Sequence, residues 1–382
     1  MKSKLSAINA WLHLWLGLAS GIVVVILSIT GCVLVFEQEI KSLAYPWLHA
    51  ERPKDAKVLA PSVLHRAVEQ ALPGKHIESV WYHGEGRTAH FSVHESDSMV
   101  YVNPYTAEVI AMVDHDDFFH FMDEGHRHLW IEGKLGKQIV GWSTFVFFLL
   151  LISGIVLWWP KKWTKSTRDQ SFKIKWKARF KRVNYDLHNV LGFYSLLLAI
   201  LMAVTGLVMS FSWFGKGVYW LTGGENGSRP RRQKVEVSGP SVNSALQNAD
   251  LIYNKVVNEI ALYNKDQVII HFAEEPDEAI YACTDMTMGF WRDLNFDPLT
   301  LELLPNSTKR LGDLKFPDQV RKLNYAIHVG AIGGLTTKIL YFLASLICAS
   351  LPITGFYIWW GKKKKSKSKS KTKPKQAALA AV

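Results

Sequence analysis

Residues 8–36 read INAWLHLWLGLASGIVVVILSITGCVLVF, 29 positions without one Asp, Glu, Lys or Arg. A helix crosses the hydrocarbon core of a bilayer in about 20 residues, so this run is long enough to be a membrane span. Residues 138–160, 187–215 and 339–361 are likewise free of charge. The 382-residue chain therefore reads as a four-span helical membrane protein. The first run is too long for a signal-peptide core and no small-residue cleavage site closely follows it, so it is expected to remain as an anchor.

Charge placement orients the spans. Residues 1–7 hold Lys2 and Lys4, residues 161–186 hold ten Lys and Arg against Asp169 and Asp186, and the tail from Lys362 holds nine Lys and no acid. These segments carry 21 of the 45 basic residues; with the chain at +12, the remainder is net negative by 7. Short basic segments stay in the cytoplasm, so both termini are expected inside and the two long segments outside. The tail alternates Lys with Ser, a composition expected to be disordered and drawn to anionic lipid. With the excess charge explained by topology, nucleic acid is not an expected partner. A hydrophobic content of 48% excludes a disordered chain. Three cysteines, two of them (Cys32 and Cys348) in spans, exclude a disulfide scaffold.

The chain also repeats itself. His13 stands four residues before Gly17 and 17 before Thr30-Gly31; His188 stands four before Gly192 and 17 before Thr205-Gly206. Lys137 and Lys338 each stand 21 residues before a Trp pair, Trp158-Trp159 and Trp359-Trp360, with Gly154 and Gly355 four residues before those pairs. Outside the spans, Asn103-Pro104-Tyr105-Thr106 and Asp297-Pro298-Leu299-Thr300 each lie between apolar runs, the pattern of a turn between strands. The unit (span, external segment, returning span) thus occurs twice in parallel, with a pseudo-two-fold along the membrane normal. The expected divisions are 1–36 (N-terminus and first span), 37–137 (first external domain), 138–160 (second span), 161–186 (basic cytoplasmic loop), 187–215 (third span), 216–338 (second external domain), 339–361 (fourth span) and 362–382 (basic tail). Each external segment reads as α+β. The first has a helix near 61–72 and strands near 77–82, 88–94, 100–102 and 108–112. The second has a helix near 242–263 and strands near 267–273, 279–283 and 290–296.

An ionisable residue inside a span is costly and marks function. His13 shares a helix face with Gly17, and His188 with Gly192, a pairing that admits a flat, bulky group or simply a close helix. As equivalent positions, the two histidines face each other across the two-fold. An iron between two imidazoles with a flat surround describes a haem b of an electron-transfer cytochrome. His328, ahead of the fourth span, corresponds to within a residue to both His126 and His128 ahead of the second, which offers a second pair. Lys137 and Lys338 stand where they serve either haem propionates or helix anchoring. Residues 114–128 hold Asp114, His115, Asp116, Asp117, His120, Asp123, Glu124, His126 and His128. This set reads better as a solvated acidic helix face, with Phe118, Phe119 and Phe121 on the membrane, than as a metal site. The chain has no G-x-G-x-x-G after a strand, no G-x-x-x-x-G-K-[ST], no C-x-x-C and no G-x-S-x-G, so no nucleotide-binding domain or nucleophilic hydrolase is evident.

The His13…Thr30-Gly31 span, His126-Arg127-x-Leu129, the Gly154…Trp158-Trp159-Pro160 exit and the turn Val102-Asn103-Pro104-Tyr105-Thr106-Ala107-Glu108-Val109 together resemble the PepSY-associated transmembrane family. The resemblance covers nearly the whole chain. It implies a bacterial inner-membrane protein linked to iron uptake, an α-helical bundle of four transmembrane helices with two periplasmic α+β PepSY-like domains. It also implies two haems b, on His13, His126, His188 and His328. The family pattern favours His126 over His128, although the second histidine is a departure from it. The expected activity is transfer of single electrons, from an unidentified cytoplasmic or membrane donor, to a periplasmic ferric siderophore of hydroxamate type. The competing expectations are a non-redox siderophore permease or partner-binding scaffold, and an electron-transfer subunit for another periplasmic enzyme.

Overall fold

The computed structural model describes residues 4–94, 98–114, 117–225, 237–261, 267–286 and 291–371, with the backbone alone over 362–371. Expectations placed on His115, Asp116, Tyr263, Phe290 and the tail beyond residue 371 fall outside the described residues. The first half runs α1 (Lys4–Leu34), α2 (Glu37–Ala44), α3 (Pro61–Ala71), β1 (Ile77–Tyr82), β2 (Ala89–Val93), β3 (Ser98–Val102), β4 (Val109–Asp114), α4 (Phe118–His128) and α5 (Lys134–Trp158). Then come α6 (Lys165–Phe172), α7 (Phe180–Asp186), a π-turn at Leu187–Leu191, and α8 (Gly192–Ser210). The second half continues with α9 (Ser212–Leu221), α10 (Ala245–Lys255), β5 (Val268–His271), β6 (Ile280–Thr284), β7 (Arg292–Phe296), α11 (Phe316–His328) and α12 (Gly334–Lys371). The chain divides into a helical unit (1–35, 122–211, 336–382) and a sheet unit (36–121, 212–335).

Four helices of the helical unit are long and apolar enough to cross a membrane: Lys4–Leu34, Lys134–Trp158, Phe180–Ser210 and Gly334–Gly361. Their limits differ from those of the charge-free runs. The second and fourth spans begin before the run does, so Lys137 and Lys338 lie within the first turns of α5 and α12 rather than ahead of them. A charge-free run marks the hydrocarbon-facing part of a helix. Hydrogen bonding carries the helix further, and a terminal Lys reaches back to water along its own stem. The third span stops at Ser210 because Phe211 is extended. Small and hydroxylated residues face inward: Ser20, Gly21, Ser28 and Thr30 of α1, Ala199, Ala203 and Thr205 of α8, Ala344, Ser345 and Cys348 of α12. Large side chains such as Ile22 and Leu197 face outward. In lipid no hydrophobic drive separates the two sets, so close backbone approach decides which face packs. One such approach carries a hydrogen bond, Ser345 Oγ donating to the Ser28 carbonyl at 3.0 Å.

In the sheet unit the two external segments build one seven-stranded antiparallel sheet, in the order β4-β3-β2-β1-β5-β6-β7. They had been assigned a domain each; the central pair β1–β5, with Trp81 opposite Ile269, joins them. The reason is edge chemistry: β1 and β5 would each be an exposed edge in a separate sheet, and pairing them satisfies both. Val80, Phe91, Val100, Ile270, Leu294 and Phe296 are fully buried against α3 and α10 in one core. Asp250 of α10 links the halves again, accepting from the Ser62 backbone N–H at 2.8 Å and its hydroxyl at 2.6 Å. The two Pro-containing turns form alike. The Asn103 carboxamide oxygen accepts from Tyr105 N–H at 2.9 Å, the Asp297 carboxylate from Leu299 and Thr300 N–H at 3.0 and 2.9 Å, and each turn closes on a left-handed residue, Ala107 or Leu301. The second helix is shorter than expected, starting at a Ser244/Gln247 capping box and ending in a π-turn at Val256–Ile260. Of the three phenylalanines expected on the membrane, Phe118 and Phe121 are exposed, but Phe119 is buried with the Lys41 ammonium 5.2 Å from its ring centre. Asp117 caps this helix start and pairs with Lys41 at 2.8 Å, which draws Phe119 inward.

Two predictions follow from this core. Phe91→Ala removes a fully buried ring and is expected to destabilise the sheet unit by about 3–5 kcal/mol, whereas the exposed Val242→Ala stays within about 0.5 kcal/mol in thermal unfolding of the detergent-solubilised protein. His83 and His90 form a hydrogen-bonded pair at 2.7 Å, with Trp81 stacked on His83 at 4.9 Å. Burial, then the neighbouring His90 and Arg87, push the His83 imidazole well below its ordinary value. The folded state thus keeps His83 neutral, while the unfolded chain takes up the proton below about pH 6.5. The contribution is intact above that pH and is lost as pH falls, so the melting temperature is expected to drop between pH 7 and 5, less steeply in His83→Phe.

Candidate functional site

A polar side chain inside lipid must find its partners within the protein, and in the helical unit three histidines, His13 and His188 within spans and His126 on the helix ahead of the second, are held in one manner. Ser153 Oγ donates to the Leu150 carbonyl at 3.1 Å, one turn back on its own helix, and contacts His13 Nδ1 at 2.6 Å. With the hydroxyl hydrogen committed to the carbonyl, the oxygen accepts, and Nδ1 carries the proton. Thr354 Oγ1 donates to the Ser350 carbonyl at 2.9 Å and accepts from His188 Nδ1 at 2.9 Å. Thr30 Oγ1 donates to the Ile26 carbonyl at 2.9 Å and accepts from His126 Nδ1 at 2.9 Å. Each hydroxyl is followed by a glycine on which the ring rests. A Cβ added at Gly154 meets His13 Cε1 at 3.4 Å, at Gly355 His188 Cε1 at 3.4 Å, and at Gly31 His126 Cε1 at 3.3 Å. In all three the imidazole thereby carries its proton on Nδ1, the tautomer in which Nε2 offers the lone pair that binds a metal.

His13 and His188 face each other, ring centroids 6.4 Å apart and planes at 88°. Two imidazoles on opposite sides of one metal, with metal–nitrogen bonds of about 2 Å, place their centroids about 6 Å apart. The hydroxyl contacts of both rings run through Nδ1. Tautomer and spacing fit a bis-imidazole iron, and the residues present therefore suit a haem. A Cβ on Gly17 or Gly192 would meet Leu150 or Leu351 at 3.8 and 3.5 Å, ordinary packing distances at matched positions.

His126 and His128, two residues apart on α4, go different ways. His126 turns to Thr30-Gly31 of α1 and is half-buried, and burial holds its imidazole below the ordinary value against the opposing pull of the Leu27 carbonyl. His128 Nδ1 lies 3.2 Å from Glu124, one turn back along the same helix. His328 is the last residue of α11, in the sheet unit. Lys137 is exposed on α5, and Lys338 half-buried on α12. Among the described residues no group of three or more His, Cys, Asp or Glu is placed to hold a metal ion, and the acidic side chains near α4 are spent in pairs, Asp123 on Arg127 and Asp117 on Lys41. Among the aromatics of the external segments and their flanks, Tyr82 is buried with its hydroxyl on the Leu59 carbonyl, Trp81 donates to Gln267, and Trp130 and Trp291 are exposed.

Sequence reasoning passed over Ser153 and Thr354, and it read Gly154 and Gly355 only as repeat markers. The signal was present: a hydroxyl residue followed by Gly stands in every span, Thr30-Gly31 (with Ser20-Gly21 ahead of it), Ser153-Gly154, Thr205-Gly206 and Thr354-Gly355. Nothing in one sequence says that such a pair receives an imidazole.

The corner that delivers His126 is sterically closed. Leu129 and Trp130 are left-handed, and a Cβ on Gly136 would sit 2.0 Å from the His128 carbonyl oxygen, with backbone and not a flexible side chain in the way. Gly136→Ala is expected to cost about 1–3 kcal/mol and to lower the melting temperature of the purified protein, whereas the exposed Lys134→Ala leaves it unchanged.

No curated protein matches the chain. Residues 10–362 match the family described as PepSY-associated TM region. That match spans the four helices, both external segments and every histidine described above, and the chain belongs to this PepSY-associated transmembrane family.

Proposed function

We propose that the protein is a di-haem b reductase of the bacterial inner membrane that passes single electrons outward to a ferric siderophore. The observation that carries this reading is the His13/His188 pair: two intramembrane imidazoles 6.4 Å apart, each with its Nδ1 proton held by a back-bonded hydroxyl. Because Nε2 is already bare, binding a metal there releases no proton into the membrane. Haem bound at this pair supplies a one-electron carrier. The second haem is assigned from the repeat, to His126 and His328, with the Thr30 hydroxyl holding the His126 proton. Along α1 the two seats, His13 and Thr30, are 17 residues apart, about 25 Å at 1.5 Å per residue, so they stand toward opposite faces of the bilayer. With both termini in the cytoplasm, as the basic segments direct, the His13/His188 end faces the donor and the His126 end faces the outside. The lysine tail adds attachment to anionic lipid.

On the substrate side the protein breaks no covalent bond. Hydroxamate oxygens are hard ligands that hold Fe(III) far more firmly than Fe(II), so one electron delivered to the bound iron loosens it. The motifs quoted for the family also resemble those of the ferrioxamine reductase FoxB, a reading that favours a hydroxamate substrate. Purified protein is expected to show a reducible haem b spectrum with two haems per chain, and His13→Ala or His188→Ala about one. The dithionite-reduced protein, freed of excess reductant, is expected to reoxidise when ferrioxamine is added anaerobically. Colourless protein, or reoxidation that ignores the siderophore, overturns the reading.

A further inference from the structure

We infer that Ser153 and Thr354 are positioning residues that hold the His13 and His188 rings crossed, so that iron between them is bound by perpendicular imidazoles. This inference rests on the haem reading above and adds to it which residues orient the ligands. An axial imidazole is free to turn about its metal–nitrogen bond unless its other nitrogen is tied. Here Nδ1 of His13 is tied to Ser153 at 2.6 Å and Nδ1 of His188 to Thr354 at 2.9 Å. Neither anchor can rotate freely, because each hydroxyl is engaged with a carbonyl one turn back, Leu150 at 3.1 Å and Ser350 at 2.9 Å. The Asn9 side-chain amide donates to the Ser153 carbonyl at 3.3 Å, and the Asn184 amide to the Thr354 carbonyl at 3.0 Å, which pins both segments to the helix bearing the histidine. Gly154 and Gly355 remove the remaining freedom, since a ring that swung toward either helix would close contacts that already stand at 3.4 Å from the Cβ position. The two anchors lie 201 residues apart at equivalent places in the repeat, and the angle they set between the ring planes is 88°.

The angle has an electronic consequence. With parallel imidazoles both ligands donate into one iron d-orbital and lift its degeneracy with its partner. With crossed imidazoles each ligand donates into a different one, and the pair stays nearly degenerate. Low-spin ferric haem of the crossed kind gives a strongly anisotropic EPR signal dominated by one low-field feature; the parallel kind gives a three-line rhombic signal.

The test is EPR on the oxidised full-length protein, with the His13/His188 signal taken as the part that His13→Ala abolishes. A low-field, strongly anisotropic signal is expected from the unaltered protein. In the double variant Ser153→Ala/Thr354→Val it is expected to move toward the rhombic form with haem content retained, while Thr354→Ser keeps the original signal. A rhombic signal from the unaltered protein, or a crossed signal that the double variant leaves in place, overturns the inference although haem is bound. If the double variant loses its haem, the unaltered protein and Thr354→Ser decide: an anisotropic signal in both supports the role, and loss of the signal in Thr354→Ser contradicts it. Haem content unchanged by His13→Ala refutes the haem assignment itself, a separate result.

Discussion

A hydrogen bond from imidazole Nδ1 to a hydroxyl that has already given its own hydrogen to the helix backbone organises the helical unit. In water such a bond contributes about 1 kcal/mol and has many substitutes. In the hydrocarbon core an unpaired imidazole N–H costs several kcal/mol, so this contact decides where each histidine goes. It requires a Ser or Thr able to bond back by one turn and a residue without Cβ beside it. Ser153-Gly154, Thr354-Gly355 and Thr30-Gly31 meet both conditions. Because the hydroxyl can only accept, the bond also fixes which nitrogen is left to react.

The sheet unit obeys a comparable constraint in another medium. Seven strands in one sheet leave two edges where separate sheets of four and three would leave four, and the joint is made by β1 and β5, the first strand of each external segment. On each side of that joint the strands are laid down in chain order. Asp250 on Ser62 and the shared core under Phe91 and Phe296 make the halves interdependent. Neither external segment therefore has a complete hydrophobic core of its own.

Much of this was legible in the chain. A span announces itself because charge is excluded from hydrocarbon, so charge-free runs located all four; their ends blurred because lysines such as Lys137 and Lys338 belong to helices whose termini reach water. The strand at 77–82 was read to the residue, since Pro73-Gly74 and Gly84 bound it on either side. The turns at Asn103 and Asp297 were legible because their chemistry lies within four residues. Phe119 was misplaced, because a local reading of Phe118, Phe119 and Phe121 does not contain Lys41.

From the order of its residues alone, this protein is committed to four apolar spans and to histidines at equivalent spacings from Gly and Thr-Gly, because hydropathy, charge and internal spacing are properties of the chain itself. Three matters were settled only in three dimensions: that β1 meets β5, that Ser153 and Thr354 receive the rings of His13 and His188, and that those rings stand crossed at 88°. Each depends on partners about 140 to 190 residues away. A sequence lists such partners but does not pair them; the pairing comes from packing, which brings donor and acceptor to hydrogen-bonding distance.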